Sequence, residues 1–267
     1  LEAAFQIVNK NPLGSAAGYG SSFPIDRTYT TKLLGFADLH YNVVYAQMTR
    51  GKTEKTVAAA MASLASTLGK FAADACLYMS QNFSFITLPK EFTTGSSIMP
   101  HKKNPDVFEL LRSKCNAMQA VQFELAMMTG NLTSGYFRDL QLLKEKYIYL
   151  FKEMKACLEM ALLMVPNIGV KKDILKDDKY VYLFSVEEVN RRATKGLPFR
   201  DAYKQVGIEI EEGNFNPERT VKHTHEGSIG NLCNKEIQRK MKKARAKING
   251  AAVDKAIQKL LKVSKLF

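Results

Sequence analysis

The sequence predicts an all-α protein: a long central helical bundle, present in part, followed by a smaller C-terminal helical domain. Apolar residues recur every three or four positions over long stretches, which is the period of a helix buried on one face. Strand-like alternation is weak throughout, and residues that favour turns gather between the apolar stretches. After Pro166 the chain becomes polar and turn-rich, and the later helical pieces are shorter.

Four segments carry the helical stripes of the predicted bundle. They are Leu34, Ala37, Tyr41, Val44 and Met48; Val57, Met61, Leu64, Leu68, Phe71, Ala75 and Tyr78; Leu111, Met118, Val121, Leu125 and Met128; and Ile148, Phe151, Met154, Leu158, Ala161 and Val165. A period this close to 3.5 residues is typical of helices that pack nearly parallel or antiparallel. We assign residues 1–165 to this bundle domain and expect its N-terminal part to lie outside the chain.

Residues 166–267 form the predicted second domain. Gly196 is expected to end one helix, and Pro198 is expected at the first position of the next, which runs through Val206.

The composition is that of an ordinary globular protein, with 46% hydrophobic and 24% charged residues. Since no apolar run reaches about 18 residues, no membrane span is predicted. The opening LEAAFQIVNK has no signal-peptide pattern, and it resembles the interior of a helix. The four cysteines are far apart without a CxxC pair, which favours reduced thiols and a cytoplasmic protein.

The net charge of +13 is concentrated in residues 235–267. Ile237, Met241, Ala244 and Ile248 lie there at helical spacing, with lysines around them. This pattern favours a packed helix with a solvated basic face over a nucleic-acid patch, because aromatic residues are nearly missing from the stretch. No nucleic-acid partner is predicted.

A polar loop, GSSIMPHKKNPD, separates two of the apolar stretches. Asn104 is predicted to be the N-cap of the following helix, with Pro105 at its first position and Asp106 in its first turn. The loop would bring Ser96 and Lys102 to a helix N-terminus, which is suited to binding anions. By composition alone, an ordinary surface loop before a capped helix explains the segment better than a functional loop does.

The order of residues in this loop resembles the signature GSSxMPxKxNP of the fumarase/aspartase superfamily, with all eight fixed positions present. Three other segments, NPLGSAAGYGSSFPIDR, GYFRDLQLLKEK and KGLPFRDAYKQVG, are similar to segments of argininosuccinate lyases. Tyr203 stands where that family usually has histidine. The KKNPD form of the loop fits argininosuccinate lyases better than fumarases, aspartases or adenylosuccinate lyases.

The resemblance implies a β-elimination that converts argininosuccinate to arginine and fumarate. A base removes a proton next to a carboxylate, and an acid protonates the leaving nitrogen. The residues that the resemblance assigns to catalysis are Ser96 as the base, Lys102 for the developing negative charge and Glu109 as partner of the catalytic histidine. Those that it assigns to substrate binding are Asn104, Tyr136, Gln141 and Lys144.

Each assignment has a simpler alternative. Ser97 could be the reactive serine in place of Ser96. Asn104 could only cap a helix, and Glu109 could only complement the helix dipole. Taken without the resemblance, Lys144 is an exposed lysine on a helix.

The four histidines do not fit the family's general acid, which lies in a T–H segment upstream of the loop. His40 is predicted to lie in a helix, His101 is at a variable loop position, and His223 and His225 belong to the second domain. The acid is therefore expected outside this chain, and the chain alone is expected to be inactive. KHTHEGSIGN is interpreted as a structural turn in preference to a metal site, and neither metal nor cofactor is predicted.

The resemblance also implies a homotetramer in which each active site is built from three subunits. Two other functions stay open at this point. One is a different fumarate-releasing lyase of the same superfamily. The other is a non-catalytic, crystallin-like protein on the same scaffold.

Overall fold

The protein is described by a computed structural model over residues 1–248 and 250–263. Its helices are α1 (Glu2–Val8), α2 (Arg27–Leu34), α3 (Val43–Met48), α4 (Lys52–Met79), α5 (Asp106–Thr129), α6 (Asp139–Met164), α7 (Ser185–Thr194), α8 (Phe199–Glu211), α9 (Asn234–Lys247) and α10 (Ala251–Val263). Short strands lie at β1 (Lys10–Asn11), β2 (Asp38–Leu39), β3 (Ile86–Thr87) and β4 (Gly169–Val170), and β1 pairs with β2 in parallel. The all-α prediction is confirmed.

Helices α4, α5 and α6 form the core bundle and run antiparallel in sequence order. Gly51, just before α4, lies against Thr129 at the end of α5, while Phe71 packs edge-to-face on Phe108 near the start of α5. Two ion pairs show that α5 and α6 are also antiparallel: Lys114 with Glu153, and Glu124 with Lys146. The second and third predicted stripes therefore lie on helices that pack as expected.

Small side chains lie where α4 and α5 come closest. Ala58, Ala65 and Ala72 are fully buried on α4. A Cβ atom at Gly69 would lie 3.2 Å from the Cβ of Cys115 on α5, so this position has little room for a side chain. Larger residues of the predicted stripe are partly buried against the core: Val57, Leu64, Leu68 and Phe71. Small residues occupy the centre because they let two backbones approach closely.

The fourth predicted stripe lies on a helix, but its face was only partly correct: Met154 and Ala161 are buried as predicted. Ile148 and Phe151 are 64% and 47% exposed, whereas Leu143, Leu150 and Cys157 are buried. Helix α6 is apolar on more than one side, so periodicity alone could not identify the side that faces α5.

The first predicted stripe is not one helix, and the helical assignment of His40 is wrong. Gly35 ends α2 in the left-handed conformation, with φ of +75°. The Asn42 side chain caps α3 by accepting from the backbone N–H of Tyr45, and His40 lies between, directly after β2. Local capping chemistry thus overrides the apolar spacing.

Two compact units divide the chain: residues 1–169 with the described residues from Met241 onward, and residues 170–240. The domain boundary predicted at 165/166 lies near the first division, but α10 groups with the first unit. In that unit, Ala256 of α10 is buried. A Cβ atom built at Gly35 would lie 2.9 Å from the carbonyl oxygen of Ala252, so α10 packs closely on the end of α2. Residues 264–267 of the basic stretch lie outside the described residues.

The predicted packing of the basic helix is wrong for this chain. Ile237 and Met241 on α9 are 60% and 66% exposed, and none of the residues of α9 is buried. Lys247 at its end pairs with Glu2 on α1 at 2.6 Å.

In the second unit, Val189 of α7 packs on Ala202 and Val206 of α8. Helix α8 begins at Phe199 and extends to Glu211, beyond the predicted end, with Pro198 immediately before it.

Helix α4 is long and apolar enough to cross a membrane by length and composition. In the structure it is the central core helix, and its buried residues contact α5 and α6. Cys115 and Cys157 are free thiols buried in the same core, and burial raises the pKa of Cys115 to about 12.

Candidate active site

The GSS loop, residues 95–105, is closed at its base by a short antiparallel bridge. Thr94 and Asn104 exchange both backbone hydrogen bonds, at 2.8 and 3.2 Å. The Thr94 hydroxyl also donates to the Asp106 carboxylate in the first turn of α5. The loop is thus held at both ends while its central residues are exposed.

Asn104 does not cap α5, so the predicted N-cap was wrong. The helix begins at Asp106, and the Pro105 carbonyl accepts its first hydrogen bonds. The backbone of Asn104 is engaged by Thr94, and its side-chain amide donates to the Gly95 carbonyl at 3.2 Å. Its side chain therefore braces the loop across its base.

Ser96 is the serine of the loop whose hydroxyl is held by the backbone. Its Oγ accepts hydrogen bonds from the N–H groups of Ile98 and Met99, at 3.3 and 3.2 Å. Two donors directed at this oxygen favour a negative charge there, since hydrogen bonding to the charged form stabilises it. Between the two serines, this geometry therefore favours Ser96 over Ser97 as the one whose oxygen could act as a base.

Lys102 and Glu109 are both exposed. The backbone N–H of Lys102 donates to the Met99 carbonyl, which places Lys102 in the turn that directly follows the Ser96 turn. Glu109 lies in the first turn of α5, where its charge also complements the helix dipole.

The Tyr136 segment forms a second cluster just before and within the start of α6. Gln141 donates to the Tyr136 hydroxyl at 3.3 Å, and Lys144 follows three residues later on the same face of α6. All three side chains are exposed.

Two neighbouring clefts, which we call the Tyr136 clefts, have volumes of about 410 and 300 Å³. Four residues line both of them, from α3, the turn before α4, the loop before α6 and the first turn of α6: Gln47, Arg50, Gly135 and Leu140. The backbone of residues 12–17 and Tyr136 complete the wall of the second cleft. Sequence reasoning missed Gln47 and Arg50, because nothing in their spacing distinguishes them from ordinary helix-end residues.

One chain does not bring the two clusters together. The GSS loop precedes α5 and the Tyr136 segment follows it. A helix of 24 residues such as α5 is about 36 Å long. Ser96 and Tyr136 therefore lie near opposite ends of the bundle.

Of the histidines, His101 lies within the GSS loop and is exposed. His40 is buried, and burial lowers its pKa. His223 bonds through one ring nitrogen to Ser228 at 2.6 Å and through the other to Glu187 at 3.0 Å. Within residues 1–248 and 250–263, no group of three or more His, Cys, Asp or Glu side chains is arranged to hold a metal ion.

Residues 1–120 match the family model described as Lyase. The chain is 59% identical over 261 residues to an argininosuccinate lyase from Bacteroides fragilis and 58% identical to one from Phocaeicola vulgatus. Each alignment covers 98% of this chain and 58% of the relative, so the chain spans little more than half the length of these relatives. A solved EDDS lyase variant with bound fumarate has the same fold, with a TM-score of 0.78 and 20% identity over 97% of this chain and 61% of its own.

Proposed function

We propose that this chain belongs to the fumarase/aspartase superfamily of lyases and that the whole protein is an argininosuccinate lyase. It would cleave the C–N bond of argininosuccinate and release arginine and fumarate. The observation that carries this proposal is the 58–59% identity to argininosuccinate lyases across 98% of the chain. We further propose that it acts in arginine biosynthesis in the cytoplasm.

In the proposed mechanism, Ser96 removes the proton next to a substrate carboxylate. The two backbone N–H groups at its Oγ stabilise the alkoxide that this role needs. The ammonium of Lys102 would balance the charge that develops on the carboxylate after proton removal. Asn104 would bind substrate from the base of the loop, and Glu109 would orient the histidine acid contributed by another part of the protein.

The sites are proposed to be shared between subunits of a homotetramer. Supporting this, about 36 Å of helix separates the GSS loop from the Tyr136 cluster in one chain. A substrate the size of argininosuccinate cannot span that distance. Tyr136, Gln141 and Lys144 would therefore complete a site whose GSS loop comes from a different chain.

The test is a substrate panel with the full-length protein. We expect fumarate release from argininosuccinate and at least 100-fold lower kcat/KM with adenylosuccinate, aspartate or malate. Faster turnover of one of the other substrates would assign a different superfamily lyase. No turnover of any of them would favour a non-catalytic scaffold. The 267-residue chain alone is expected to be inactive, and normal turnover by it would refute the assignment of the acid to another segment.

A further inference from the structure

The base of the GSS loop contains a side-chain pair that the proposed mechanism does not use, Thr94 and Asp106. We propose that this pair positions Ser96: it holds the start of the loop on the first turn of α5 and so sets where the Ser96 oxygen lies relative to Glu109. Thr94 and Asp106 are then positioning residues, which act on the reaction through Ser96. This inference rests on the proposed function and extends it from the residues that react to the pair that holds one of them in place.

The first step concerns the end of the loop, which helix α5 fixes. Asp106 is the first residue of α5, and Glu109 lies in the same turn. The Pro105 carbonyl accepts from the backbone N–H groups of Phe108 and Glu109, at 2.9 and 3.1 Å. Phe108 is fully buried and packs edge-to-face on Phe71 of α4. Asp106 and Glu109 therefore belong to a turn that the bundle core holds in place.

The second step concerns the start of the loop, which lies between the short 3₁₀ helix Lys90–Phe92 and α5. Thr94 is exposed, so its own burial does not fix it. Its backbone exchanges two hydrogen bonds with Asn104, at 2.8 and 3.2 Å, and its hydroxyl donates to the Asp106 carboxylate. The backbone bonds align the two sides of the loop, and the hydroxyl bond adds a direct link to α5.

The third step concerns the distance along the chain from each side of the loop to Ser96. Ser96 comes two residues after Thr94 and eight residues before Asn104. Because a chain extends at most about 3.6 Å per residue, Ser96 stays within about 7 Å of Thr94, whereas the Asn104 side would allow about 29 Å. The position of Ser96 therefore follows the start of the loop more closely than its end. A misplacement of about 1 Å in a reacting group can lower a rate by about 10²-fold.

The fourth step concerns the chemistry of the pair. A hydroxyl that donates to a carboxylate forms a charge-assisted hydrogen bond, which is stronger than a bond between neutral groups. Asp106 also lies in the first turn of α5, where the helix dipole favours a negative charge. Serine in place of Thr94 would keep the donor, while valine would keep the shape and lose the donor.

The experiment compares Thr94→Val and Thr94→Ser in the full-length protein. We expect Thr94→Val to lower kcat for argininosuccinate roughly 10-fold and to change KM by less than about 2-fold, because the backbone bonds to the substrate ligand Asn104 remain. Thr94→Ser should recover most of the wild-type kcat. In an Asp106→Ala background, Thr94→Val should lower kcat no further, since the two side chains act as one unit.

Thr93→Val is the matched control, because the Thr93 hydroxyl bonds to the Lys90 carbonyl at 3.0 Å, outside the loop. It should retain the wild-type kcat. Asp106→Ala alone should lower kcat about as much as Thr94→Val does, and it carries the test if Thr94→Val does not assemble. Unchanged kcat in these two variants, an equal loss in Thr94→Ser or in Thr93→Val, or additive losses in the double variant would each overturn the proposal.

Failure of the wild type to convert argininosuccinate would instead overturn the proposed function. The link itself would then be measured by amide hydrogen exchange of residues 95–105 in the same full-length proteins. Thr94→Val should speed this exchange, because the start of the loop is released from α5, and Thr93→Val should not. Equal exchange in the wild type and Thr94→Val would overturn the link.

Discussion

The two ends of the α4–α6 bundle present different kinds of surface. At the GSS-loop end, a few hydrogen bonds close the base of an otherwise exposed loop, and of the side chains proposed for catalysis Ser96 is half-buried while Lys102 and Glu109 are exposed. At the Tyr136 end, clefts are already formed, and Arg50 is held by a glutamate that is itself bonded to the backbone. The comparison shows an exposed loop at one end and clefts that are already formed at the other.

The largest expected effect is at the loop end. Ser96→Ala should lower kcat of the full-length protein by about 10²- to 10⁴-fold, because it removes the proposed base. Ser97→Ala is the matched control and should retain most activity, since Ser96 is the serine whose oxygen accepts the two loop N–H groups. Steady-state release of fumarate measures both. A severe loss in Ser97→Ala with an active Ser96→Ala would exchange the two roles.

The second prediction tests whether the GSS loop and the Tyr136 cluster of one active site come from different chains. Ser96→Ala and Lys144→Met chains, each nearly inactive, should regain roughly one quarter of wild-type activity when unfolded and reassembled as an equal mixture. In random tetramers, each shared site has an even chance of an intact loop and an even chance of an intact Lys144. Each variant reassembled alone is the control. Activity no higher than that of the separate variants would mean that one chain supplies both clusters.

The third prediction separates the two ends by stability. Glu54→Gln should lower the free energy of unfolding by about 1–2 kcal/mol, because the carboxylate bonds to both the Gly51 N–H and Arg50. Thr94→Val at the loop base removes an exposed hydrogen bond to Asp106 and should change it by less than about 1 kcal/mol. Denaturant unfolding compares them. A larger loss in Thr94→Val would show that the loop end is the more rigid one.

The smallest expected effect is a pH dependence at the Tyr136 end. His40 packs edge-to-face on Tyr45 of α3, and burial lowers its pKa in the folded state. The unfolded chain therefore binds a proton first as the pH falls below about 6.5, and stability decreases from there toward the folded pKa. In His40→Gln, the melting temperature should change less with pH over this range. His101→Gln, at an exposed position in the loop, should keep the wild-type dependence. A slope that survives His40→Gln would assign it elsewhere.

Much of the bundle was predictable because its signals are local. The stripes of α4 and α5 are long, and both helices formed where the period predicted them. Asn104 shows the limit of local rules: its residue type suits a cap, but a cross-loop bridge to Thr94 engages it instead. The stripe around His40 failed for a similar reason, since Gly35 and Asn42 interrupt it with their own capping geometry.

The sequence by itself determined the helical class, the three core helices, the GSS motif and, through that motif, the resemblance to the fumarase/aspartase superfamily. Tertiary structure decided which face of α6 is buried, and it separated Ser96 from Tyr136 by the length of α5. It also brought Gln47 and Arg50 to the same clefts as Tyr136. The physical reason is that periodicity specifies a helix but not its packing partner, while a binding site depends on side chains that only long-range packing brings together.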